Sequence, residues 1–164
     1  MSEKQQREEA AVLAFARDCV FEVSDVRSAA EPEPDILCRM GDFGNIRLEV
    51  TECVDDGFAQ RRSHFLRRGE SFEGGSYHEP FRQRIAEKFG KTYPSSDLPT
   101  HLLVYVDRIG LQVDPRAGFW AGIRECIRQD LAESSFSQVW IHSQQDRAVV
   151  LVEPPVLGQT EMFP

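Results

Sequence analysis

No stretch of this chain approaches the roughly 18 consecutive apolar residues that a membrane helix requires, so no spanning segment is expected. The charge-rich start, Met1 to Glu9, precedes no long apolar run. It reads as neither a secretory signal nor a transit peptide, and the expected compartment is the cytoplasm. Cysteine is scarce and scattered: Cys19, Cys38, Cys53 and Cys126 include no Cys-x-x-Cys spacing. Neither a zinc site nor a disulfide framework is supported, and all four are expected to be buried free thiols. His64, His78, His101 and His142 form no ligand spacing such as His-x-x-x-His and are not expected to be catalytic. Gly41-Asp42-Phe43-Gly44 lacks the helix and lysine that follow a phosphate-binding loop, which excludes a nucleotide hydrolase of that type. The absence of Gly-x-Ser-x-Gly removes support for a serine hydrolase. Positive charge is also short, with 19 Lys and Arg against 27 Asp and Glu, a net charge of −8. A chain that coats nucleic acid without specificity needs the opposite balance, because lysine and arginine must neutralise phosphates.

What is present describes one domain. The 164 residues include 41% apolar ones, enough for a core, and 28% charged ones for the surface. Residues 1–153 are expected to form a single unit, followed by a Pro-containing tail at 154–164. Charge is unevenly spread. Between Phe58 and Pro94 eight basic residues face four acidic ones, a local excess of +4 that leaves −12 for the rest. Arg61, Arg62, Arg67 and Arg68 could track a nucleic-acid backbone, and a solvated helix face explains them equally well.

Residues Ser2 to Asp18 read as a helix with Leu13, Ala16 and Val20 on one apolar stripe. Phe21 to Ala30 is compatible with a strand or an irregular connection. Glu31-Pro32-Glu33-Pro34 forbids helix. Asp35–Met40 and Asn45–Val50 then predict two strands joined by the glycine-bearing loop at Gly41–Gly44. In the second, Ile46, Leu48 and Val50 face one way and Arg47, Glu49 and Thr51 the other, which predicts a half-polar strand. Helices are expected near Asp55–Arg68, Glu79–Phe89 and Arg116–Ala132, with a loop at Ser71–Tyr77. Phe81, Ile85 and Phe89, and Phe119, Ile123, Ile127 and Leu131, supply helical apolar spacing. Strands are expected at His101–Val106, Gln138–His142 and Ala148–Val152, and Trp120 and Trp140 are expected in the core. The class is α/β (α+β), a mixed central sheet flanked by helices.

One constellation carries chemistry. Pro34-Asp35 opens a strand and Glu49-Val50-Thr51 closes the next, so an antiparallel hairpin can bring Asp35 beside Glu49 across 14 positions. Two converging carboxylates repel unless a cation lies between them, and a divalent metal is the usual answer. A solvated pair at a common turn opener is the plainer reading.

These residues resemble the signature of the PD-(D/E)XK nuclease superfamily, and in particular bacterial members whose second motif reads Glu-Val-Thr-Glu, here Glu49-Val50-Thr51-Glu52. A glutamate-bearing first helix, Ile85-x-x-Lys88-x-x-Lys91-x-Tyr93, the His101–Tyr105 strand and Phe136-x-x-Val139-Trp140-Ile141 follow in similar order, covering roughly Glu8 to Ile141. The resemblance implies a restriction-endonuclease-like core and metal-dependent phosphodiester cleavage in DNA or RNA. Asp35, Glu49 and the Val50 carbonyl would hold Mg²⁺ or Mn²⁺, with Glu9, favoured over Glu8 for its alignment with Leu13 and Ala16, as auxiliary ligand. The catalytic set would be Asp35, Glu49, the position of Thr51, and Lys88 or Lys91. The family places a lysine where this chain has Thr51, and in some relatives that lysine sits on a neighbouring helix. By analogy with small nucleases a homodimer is conceivable. The rival expectation is an inactive member of the fold that binds nucleic acid or protein.

Overall fold

The computed structural model describes residues 2–53, 79–106 and 118–155, with side chains described in 2–53, 83–106 and 124–155. The expected helix at Asp55–Arg68, its four arginines, the loop at Ser71–Tyr77 and most of the tail lie outside these residues, as do the side chains of Phe81, Phe119, Trp120 and Ile123. The helices are α1 (Glu3–Asp18), α2 (Glu79–Phe89) and α3 (Gly118–Ala132). The strands are β1 (Val23–Ser28), β2 (Ile36–Met40), β3 (Gly44–Glu52), β4 (Thr100–Val106), β5 (Gln138–Ser143) and β6 (Ala148–Val152). They form one mixed sheet in sequential order. β2 pairs antiparallel with both β1 and β3; β3, β4 and β5 are parallel, and β6 returns antiparallel. None of the described helices is long and apolar enough to cross a membrane.

Local chemistry fixes the elements. Ser2 and Gln5 form a reciprocal capping box that satisfies two otherwise unpaired donors at the start of α1. The turn between β2 and β3 is a short 3-10 helix, Gly41–Phe43, and Gly41 and Gly44 both adopt positive φ, where a side chain would be strained. β1 forms within the undecided Phe21–Ala30 stretch, and its pairing with β2 is interrupted between Ser24 and Arg27, where Asp25 takes positive φ.

The sheet is covered on both faces. On one, Ala11, Val12 and Phe15 of α1 pack over Ile36, Met40, Ile46, Leu48, Leu103 and Trp140. On the other, Ile85 of α2 and Ile127 and Leu131 of α3 join Leu102, Val104, Val139 and Ile141. At the far end of α1, buried Asp18 lies 3.1 Å from His142 Nε2 and accepts from Arg147 Nε at 2.9 Å, which locks the helix to the β5–β6 hairpin.

Three expectations need correction. The α1 stripe is Glu8, Ala11, Val12 and Phe15; Leu13 is 60% and Val20 91% exposed. The larger burial available to Phe15 sets the rotation of the helix. β3 alternates as expected but is buried along both faces from Ile46 to Thr51, and on the polar side Lys88 at the end of α2 and Lys91 and Pro94 after it contact Glu49 and Arg47. Only Cys38 and Cys53 are buried thiols; Cys19 is half-buried and Cys126 is exposed on α3.

Candidate functional site

β2 and β3 pair with Ile36 opposite Leu48, and continuing that register by one residue sets Asp35 opposite Glu49. Asp35 is anchored there: its Oδ2 accepts from the Val50 backbone N–H at 2.9 Å. The first turns of α1 cross this end of the sheet and bring Lys4 and Glu8 to it. Lys4 Nζ lies 3.1 Å from Asp35 Oδ1 and 3.2 Å from Glu8 Oε1. From the opposite face, the end of α2 and the residues after it bring Lys88 Nζ to 2.6 Å and Lys91 Nζ to 2.9 Å from the same oxygen, Glu49 Oε1.

The cluster therefore alternates three carboxylates with three lysines, and its electrostatics follow from burial. Desolvation alone would raise the Glu49 pKa, but Lys88 and Lys91 outweigh it and hold the carboxyl below the ordinary range. Its charge in turn raises Lys91. For Glu8, burial and the neighbouring Asp35 charge push the carboxyl upward against the pull of Lys4. Burial opposes the charge on Lys4, yet Asp35 and Glu8 together hold its pKa above the usual lysine value. Tyr93, just past α2, has a buried hydroxyl close to the Glu49 carboxylate. Burial and the nearby Glu49 charge raise its pKa, so it stays a phenol at every working pH.

The expected site residues fall into place unevenly. Asp35, Glu49, Val50, Lys88 and Lys91 meet at one end of β3. Thr51 is buried next to them and borders the cleft, and it carries no charge. Glu9 points elsewhere, accepting from Ser28 Oγ at 2.6 Å, while Glu8 is the glutamate beside Asp35. The correct stripe would have identified it, since Glu8 is one turn before Ala11 and Val12. Lys4 was not expected at all, and Tyr93 stands in the motif with Lys88 and Lys91 but carries no expected role there. Arg47, also buried on β3, donates to the Pro94 carbonyl at 2.8 Å and to Glu33 at 3.2 Å, which fixes the segment after α2 near Glu49.

A cleft of about 190 Å³ opens beside the cluster, lined among others by Lys4, Arg7, Glu8, Thr51, Lys88 and Tyr105. Asp35, Glu49 and the Val50 carbonyl are hard oxygen donors without histidine or thiol, the set that suits Mg²⁺ or Mn²⁺ when water and substrate complete the shell. Among the described residues no three His, Cys, Asp or Glu side chains converge into a fuller cage. No protein-family model, curated protein or solved structure matches this chain.

Proposed function

We propose that this chain is a Mg²⁺- or Mn²⁺-dependent nuclease-like protein that hydrolyses phosphodiester bonds in DNA or RNA on a restriction-endonuclease-like core. The observation that carries this reading is the contact of Lys88 with Glu49 at 2.6 Å. The cation missing at Thr51 arrives instead from α2, at the carboxylate that stands next to Asp35. When bound, the metal would polarise the phosphate and acidify a coordinated water. Asp35 and Glu49 would hold it with the Val50 carbonyl, and Glu8, beside Asp35, would reach it through a coordinated water. Lys88 orients Glu49. Lys91 is half-exposed, so its ammonium can move from Glu49 to a phosphate oxygen and offset charge developing there.

One observation favours the rival, an inactive member of the fold acting as a binding module. Each carboxylate of the cluster already has a lysine, so among the described residues the cluster is neutral without a metal. Calorimetric titration of Mn²⁺ and Mg²⁺ into the wild type and into Asp35→Ala/Glu49→Ala separates the two. Binding that vanishes in the double variant, with cleavage of DNA or RNA that vanishes alongside it, is expected. A wild type that binds no metal up to millimolar concentration, with or without oligonucleotide, and cleaves neither nucleic acid would overturn the hydrolytic reading.

A further inference from the structure

The cleft contains groups that metal binding and water activation leave unused. Arg7 lies on its wall, one turn after Lys4 on α1, and is exposed. Among the described residues Arg7 has no hydrogen-bond or ion-pair partner. Tyr105 of β4, half-buried against the α1-side core and paired in register with Glu52 at the end of β3, lines the same cleft. A guanidinium without a partner, sharing a cleft with a lysine and an aromatic ring, is complementary to a phosphate attached to a flat apolar group. Arginine meets phosphate oxygens with two parallel N–H donors. An aromatic ring stacks on any nucleobase whose face is uncovered.

We infer that this cleft receives one unstacked nucleotide of a single-stranded nucleic acid, its phosphate on Arg7 and Lys4 and its base against Tyr105. In a duplex both faces of every base are occupied by neighbours, so Tyr105 can contribute only to a strand that offers a free base face. The cleft, about 190 Å³ and open on one side, can take a base while its sugar and phosphate stay at the rim, and it is too small for a duplex. The chain as a whole is acidic, with a net charge of −8, so non-specific attraction to duplex phosphates is weak and this contact pair decides the preference. The assignment rests on the phosphodiesterase reading for the place of the phosphate and narrows its substrate to single strands.

The test is fluorescence anisotropy of labelled oligothymidylate, oligouridylate and a blunt duplex of equal length with the full chain in Ca²⁺, beside a separate cleavage assay in Mg²⁺ and Mn²⁺. Single strands should bind at least about tenfold tighter than duplex. Tyr105→Leu should weaken single-strand binding by about five- to a hundredfold and leave duplex binding unchanged, whereas Tyr105→Phe retains the ring and the affinity. Arg7→Gln should weaken both and lower the slope of log affinity against log salt by about one phosphate contact. The two oligonucleotides distinguish DNA from RNA as the source of the strand. Equal affinity for duplex and single strand, no binding of either, or no effect of Tyr105→Leu overturns the inference. Should Tyr105→Leu fail to fold, the wild-type strand preference and the Arg7→Gln salt slope decide. Strand-selective binding without cleavage would sink hydrolysis and leave the inference standing. Cleavage that depends on Asp35 and Glu49 but prefers duplex would do the reverse.

Discussion

Lys88→Met tests the cluster most sharply, because the methionine keeps most of the stem and removes only the charge. The Glu49 side chain is 4% exposed and that of Lys88 16%, at 2.6 Å. Removing one partner of a buried ion pair costs about 3–5 kcal/mol, since the other charge stays buried. Lys91 remains on the same oxygen at 2.9 Å, but it is half-exposed, and such a pair contributes only about 0.5–1 kcal/mol. The expected loss for Lys88→Met at pH 7 is therefore about 2–4 kcal/mol. Glu49→Gln removes the buried charge itself and should cost less, so the double variant should be more stable than the two single losses predict, with a coupling of about 2 kcal/mol. The sign with pH follows from the depressed Glu49 carboxyl. Its contribution is present above the unfolded value, about 4.3, and is lost as pH falls through the lower folded value. Urea unfolding of the four proteins from neutral to acid pH measures this, provided the m-values agree. A Lys88→Met as stable as wild type at neutral pH, or a coupling that persists in strong acid, would refute the reasoning.

Other consequences are as specific. Glu8→Gln should weaken Mn²⁺ binding measured by calorimetry while Glu9→Gln leaves it unchanged; the opposite pattern would return the auxiliary role to Glu9. Because the Glu8 carboxyl is raised, ionising it costs stability as pH rises, so Glu8→Gln should also unfold at higher temperature than wild type at neutral pH but not in acid. His101 accepts from Trp140 Nε1 at 3.2 Å through Nδ1, and burial pushes its pKa down to about 4. Unfolded histidine titrates near 6.5, so roughly 3 kcal/mol of stability should be lost as pH falls from about 6.5 to 4, and His101→Gln should flatten that slope in thermal unfolding. Thiol titration of the native protein should label Cys126 fast and spare Cys38, whose pKa burial pushes up to about 11; fast labelling of Cys38 would contradict its packing.

The sequence conveyed the elements far better than their rotations. Continuous apolar runs such as His101–Val106, and the Ile127 and Leu131 spacing of α3, mark strands and helices because each has one period that fits. α1 was recognised as a helix but turned wrongly, since Leu13 is its most conspicuous aliphatic residue and Phe15 decides the packing. A rotation of one residue puts Glu8 rather than Glu9 beside Asp35. β3 was read as half-polar because alternation reveals which residues share a face and not whether that face is covered. The placement of Asp35 opposite Glu49 was legible from the hairpin alone. Lys4 was not, because its approach depends on how α1 crosses the sheet, and no local signal in the sequence records a crossing.

The placement of α2 explains why cations collect at Glu49, and it sets a last experiment. β3 and β4 are parallel, so the chain must return across one face of the sheet, and α2 lies on that return. Any carboxylate on the Arg47–Glu49–Thr51 side of β3 is thereby buried, and it needs a cation whether or not the site is catalytic. Lys88 meets that structural need and its loss affects stability and chemistry together. Lys91 separates them. Half its side chain is exposed, so Lys91→Met should change unfolding stability by less than about 1 kcal/mol. If Lys91 is the cation that moves to the phosphate, cleavage should fall by about a hundredfold or more with metal affinity unchanged. If cleavage survives in Lys91→Met, the charge that replaces the missing lysine at Thr51 must come from Lys88, which then serves both the fold and the reaction.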